Sequence, residues 1–65
     1  MSNLAEALPA EQRRVRALLD AYNKIPTGAF GAAMLRNALE RAERAAAAGD
    51  VVAMARSYAE LKECE

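Results

Sequence analysis

Histidine and tryptophan are absent from this 65-residue chain, cysteine occurs once, and one Phe and two Tyr are its only aromatic residues. Without His, and with the lone Cys64, an ordinary zinc site cannot be assembled within one copy. Nucleophile–base pairs built on imidazole are excluded for the same reason, and the sequence offers no catalytic, metal or cofactor-binding residue. Neither charge sign is in excess, with 9 Lys+Arg against 9 Asp+Glu. A balanced chain does not hold nucleic acid through its overall field, so nucleic acid is not an expected partner. The longest unbroken apolar run is the seven residues 29–35, against the ~20 that cross a bilayer, and no membrane partner is expected. The opening Met1-Ser2-Asn3-Leu4-Ala5-Glu6 has no basic region leading into an apolar one, unlike a signal peptide. An unpaired thiol fits a reducing compartment, so a cytoplasmic protein is expected.

What the chain does have is alanine, at 17 positions, together with sixteen large aliphatic or aromatic side chains between Leu4 and Leu61. The length allows one small domain. We expect a polar lead-in over residues 1–8 and a single helical domain over 9–65. In the domain's first segment Val15, Leu18, Leu19 and Tyr22 share one stripe at 100° per residue. Pro9 suits a helix start, because the first helical position has no use for its N–H. This predicts a helix over about 9–24, with Arg16–Asp20 and Asp20–Lys24 as four-residue ion pairs on its outer side. Ile25-Pro26-Thr27-Gly28 ends it, and Thr27 is the expected cap of the next helix. The second helix, about 28–48, has a central stripe of Leu35, Ala38, Leu39, Ala42 and Ala46. Phe30, Met34 and Ala45 lie on its flank, and Glu40–Arg44 forms an outward pair. Gly49-Asp50 is the sharpest local signal: a glycine suited to the left-handed residue that closes a helix, then an acid suited to capping the next. So short a junction folds the second and third helices into an antiparallel hairpin. The third helix, about 51–63, places Val51, Met54, Ala55, Tyr58 and Leu61 inward, and Val52 elsewhere. With Glu60, Glu63 and Glu65 opposing the helix dipole at its end, Lys62 alone helps there and fraying is expected. The class is all-α, a three-helix bundle.

The run Ala42…Ala48-Gly49-Asp50…Tyr58…Leu61 resembles the inner turn of a tetratricopeptide repeat. The likeness is one of hairpin geometry, since that repeat's early bulky positions are Ala38 and Arg41 here and its closing proline is missing. A repeat array also needs about three units to bury its faces. More of the chain is similar to short proteins of Mu-like transposable bacteriophages. The stretches that carry the similarity are Ile25-Pro26-Thr27-Gly28-Ala29-Phe30-Gly31-Ala32-Ala33-Met34, Gly49-Asp50-Val51-Val52-Ala53-Met54 and Glu60-Leu61-Lys62-Glu63-Cys64-Glu65. That resemblance brings no catalytic or binding residues. It implies a context only: an accessory phage protein made inside a bacterium, acting on a host protein or on phage genes.

Three constellations have plain structural readings. Gly28-Ala29-Phe30-Gly31 lacks the Lys-Ser/Thr of a phosphate loop and reads as a turn plus a tight crossing at Gly31. Glu40 and Glu43, three apart, have arginines nearby and no reason to be buried, so they read as a surface pair. Arg13-Arg14-Val15-Arg16 is the only basic cluster and reads mainly as a solvated face. The apolar surplus is more informative. Either the first helix covers Phe30 and Met34, or these residues join Val52 as a patch for a partner, with Arg13 and Arg16 setting orientation. The expected function is therefore that of a non-enzymatic interaction protein that binds and modulates a host protein. Its partners would be that protein or a second copy, a dimer being the expected oligomer. The alternative is a small DNA-binding regulator, although the second helix begins with no base-reading side chains.

Overall fold

The computed structural model describes residues 3–65 and shows three helices, α1 (Leu4–Asn23), α2 (Ala29–Ala48) and α3 (Val51–Lys62), with no strand among the described residues. Each helix packs on both others, giving the all-α three-helix bundle with its α2–α3 hairpin.

The first helix starts earlier than the proline suggests. Asn3 is its cap, the side-chain oxygen accepting from the Glu6 N–H at 3.0 Å, which satisfies one of the amides a helix start leaves unpaired. The expected lead-in is thus helical from Leu4, and its first two residues lie outside the described ones. Leu8, within that stretch, is only 1% exposed. Pro9 sits inside α1 and deprives the Ala5 carbonyl of its helical donor. Both residues are exposed, so water can serve that oxygen.

The α1–α2 turn is built on space rather than on a cap. Gly28, not Thr27, is the residue that opens α2, with no side-chain cap bond. Gly28 is buried, and a Cβ there would strike the Tyr22 carbonyl. At Gly31 a Cβ would come within 2.5 Å of the Tyr22 ring, so this glycine is the flat bed on which the ring lies. The α2–α3 junction follows the expected chemistry. Gly49 has φ +66°, the Asp50 N–H reaches the Ala45 carbonyl at 3.1 Å and the Gly49 N–H the Ala46 carbonyl at 3.1 Å, the paired bonds of a Schellman closure. Asp50 then caps α3 by accepting from the Ala53 N–H at 3.1 Å.

The core is small. Leu8, Val15 and Leu61 are its fully buried large side chains, joined by Leu35, Leu39, Ala38 and Ala42 of α2. The buried residues of α2 are Ala32, Leu35, Ala38, Leu39, Ala42 and Ala45, one face at helical spacing. Ala46, expected inward, is exposed near the end of the helix, whereas Ala45, expected on the flank, is buried. On α3, Val51 and Ala55 are likewise exposed and Ser57 is buried in their stead. Alanines on α2 leave a shallow surface, against which a small hydroxyl side chain packs closely.

Because Leu8 closes one end of this core, Leu8→Ala should cost about 2–5 kcal/mol, read as a lowered urea midpoint. A polar lead-in would leave the midpoint unchanged.

Candidate functional site

Two features of the chain lengths decide what is left uncovered. Helix α2 has 20 residues and α3 has 12, about 30 Å against about 18 Å of rise. Starting from the shared Gly49-Asp50 junction, α3 runs back along α2 and ends before reaching its first two turns. Phe30 and Met34 lie in those turns. They sit one turn apart on one helix face, with Phe30 78% and Met34 57% exposed. Helix α1 does not cover them, because it meets α2 through Tyr22 on the Gly31 side. Ile25, half-exposed in the adjoining turn, adds to the apolar character of this end. Beside Met34 the space past α3 forms a groove of about 330 Å³, whose lining includes Tyr22, Leu35, Glu63 and Cys64.

The other residues picked from the sequence do not join this corner. Val52 is 63% exposed, but it begins α3 at the opposite end of the bundle. The 18 residues from Phe30 to Ala48 amount to about 27 Å of helix. Arg16 is also elsewhere, its Nη2 donating to Glu43 Oε1 at 2.8 Å, thirteen residues along α2 from Phe30. This inter-helix pair replaces the expected Arg16–Asp20 contact. Arg13 is exposed and forms no ion pair among the described residues. The basic cluster is therefore divided in its tasks, and no convergent patch of Arg13 and Arg16 with Phe30 and Met34 exists.

Arg14 has a structural task that sequence reasoning missed. Its Nε pairs with Glu11 at 2.6 Å, and its Nη2 donates to the Leu61 carbonyl at 2.7 Å. A guanidinium on the last turn of α3 adds a charged donor to a carbonyl that also accepts from the Cys64 N–H at 3.1 Å, and opposes the negative end of the helix dipole. Nearby, the Tyr22 hydroxyl donates to the main-chain oxygen of Glu65 at 2.7 Å. The Lys62 ammonium lies 5.4 Å from the Tyr58 ring centroid. The end of α3 is held by α1, so Lys62 does not act there alone. The only advance signal was the position of a long cation on the inner edge of α1.

Arg41 of α2 and Glu60 of α3 form a two-bond pair, Nε–Oε1 3.1 Å and Nη2–Oε2 2.7 Å. The bond to Glu60, before any other influence, holds the Arg41 guanidinium above its ordinary pKa. The expected Glu40–Arg44 pair is absent among the three ion pairs of the described residues. Glu43 is an exposed partner of Arg16, and Glu40 is exposed as well. No group of three or more His, Cys, Asp or Glu side chains suited to a metal forms among the described residues. No helix among them is long and apolar enough to cross a membrane. Neither a protein-family model, nor a curated protein, nor a solved structure matches the chain.

Cys64 is half-buried, and its thiol donates to the Glu60 carbonyl at 3.5 Å. Burial foremost, then the Glu60 charge, pushes the thiol above its ordinary pKa, outweighing the opposite pull of Arg14 and Arg41. The thiolate is the reacting form, so the folded chain should react with a disulfide reagent at pH 8 at least ~3-fold more slowly than the urea-unfolded chain. Equal rates would show that the end of α3 does not enclose the thiol.

Proposed function

We propose that this protein is a non-catalytic helical interaction module that docks the Phe30–Met34 corner onto a bacterial protein and modulates it. The bacteriophage setting comes from the resemblance of its sequence. The observation that carries the reading is the exposure of Phe30 and Met34, one turn apart on α2. A large aromatic and an adaptable thioether, side by side beside a groove, are the residue types that anchor protein contacts. A ring so exposed gains about 1.5–3 kcal/mol when a partner covers it. The bundle supplies rigidity: Tyr22 on Gly31 fixes the start of α2, so little ordering is left to the moment of binding. A second copy of the chain is the other expected partner, and the corner would then pair with itself or dock as a dimer.

Phe30→Asp should abolish retention of a bacterial protein on the immobilised chain while leaving the helical circular-dichroism signal intact. Sedimentation of both forms across a concentration series separates self-association from capture of a different protein. If wild type and variant retain the same proteins and sediment identically as monomers, the corner is not the docking surface.

A further inference from the structure

At the far end of the α2–α3 hairpin lies a second groove, of about 510 Å³, which the docking corner does not use. Its rims carry Arg44 from α2 and Arg56 from α3. Both are exposed, and neither appears in any ion pair or side-chain hydrogen bond among the described residues. The other charges around it are already engaged. Arg41 is bound by Glu60 through two bonds, and Asp50 accepts from the Ala53 amide. The floor holds Ala45 and Ser57. Ser57 is 6% exposed, yet its hydroxyl makes no hydrogen bond to a described residue. Among the described residues no side-chain oxygen wholly sealed from solvent lacks a partner. The Ser57 oxygen therefore keeps some contact with solvent, and Ser57 lines the groove.

We infer that this groove binds a carboxylate-bearing helical segment of a protein partner. Two uncommitted guanidiniums on opposite walls present planar donor forks that match carboxylates, and the Ser57 hydroxyl supplies a further donor at the floor. The small floor residues allow a backbone to approach closely. From Arg41 to Ala48 the groove follows about 10 Å of α2, two helical turns, which accommodates acidic side chains three or four residues apart. Nucleic acid is disfavoured as occupant: with Arg41 bound to Glu60, only Arg44 and Arg56 are uncommitted cations here, too few for a continuous phosphate chain, which calls for an uninterrupted row of them. The inference is independent of the corner contact, since Phe30 lies at the other end of the bundle.

The test uses the full chain and a fluorescein-labelled alanine-based helical peptide with glutamates three and four residues apart. Its glutamine counterpart and a short DNA duplex serve as the other arms, at about 0.15 M ionic strength, where charges more than about 8 Å apart are screened. Saturable binding of the glutamate peptide alone is expected. Arg44→Glu with Arg56→Glu should weaken it by about tenfold or more, and Ser57→Ala by about threefold. Reversal of two charges elsewhere, Arg13→Glu with Arg36→Glu, should change it by less than about twofold. Amide shifts in the wild-type spectrum should cluster at Ala45, Ala53 and Ser57, a readout that needs no variant to fold. The inference is overturned by lack of saturable binding, by equal losses from the control reversals, by preference for the duplex, or by shifts scattered away from the groove.

Discussion

Helix α3 is eight residues shorter than α2, and the rest of the architecture answers to that mismatch. A hairpin joined by two residues must start its helices level, so the shortfall falls at the beginning of α2. The core closes where all three helices run together, around Leu8, Val15, Leu39 and Leu61. Beyond the end of α3 only two helices remain. There Tyr22, lying on Gly31 and anchored to the Glu65 main chain, takes up part of the missing helix's place. Phe30 and Met34 stay exposed there, on a scaffold held from both sides.

Alanine makes so small a core workable. Ala38, Ala42 and Ala45 carry almost no side-chain entropy into the fold and let neighbouring backbones come close. The cost is a bundle with few bulky contacts, and charged side chains take over the alignment of the helices. Arg16 reaches Glu43, Arg41 reaches Glu60, and Arg14 reaches the end of α3. Exposed ion pairs of this kind add little stability. Their use here lies in choosing among the similar registers that a smooth alanine surface would otherwise permit.

The fold was legible where local chemistry decides. Gly49 and Asp50 each do what their backbone freedom and side-chain oxygen imply, and the apolar period marked three helices. Two local signals were readable yet outweighed by Pro9. Asn3 with Glu6 three residues on has the form of a helix start, and Leu4, Leu8, Glu11, Val15, Leu18 and Tyr22 continue one four-three rhythm. Thr27 failed as a cap because Gly28 is needed for its bareness against the Tyr22 carbonyl. The ion pairs were illegible for a different reason. Pairs four residues apart can be read on one helix, whereas Arg16–Glu43 and Arg41–Glu60 depend on which faces meet. The same limit hid the Arg44–Arg56 groove, whose walls come from two helices. It also let Val52 be grouped with Phe30, although the hairpin sets them at opposite ends. The exposure of Phe30 and Met34 rested on helix lengths, which the Gly49-Asp50 junction and the end of α3 together determine.

The bundle closes its core without the exposed Phe30 and Met34 side chains at the start of α2. The most direct measurement is the unfolding free energy of a double variant, Phe30→Ser with Met34→Ser, against wild type in urea. If those residues lie outside the core, the two values agree to within about 1 kcal/mol, twice the range of one surface substitution. A loss of about 3 kcal/mol or more would place Phe30 and Met34 inside the core and contradict the account.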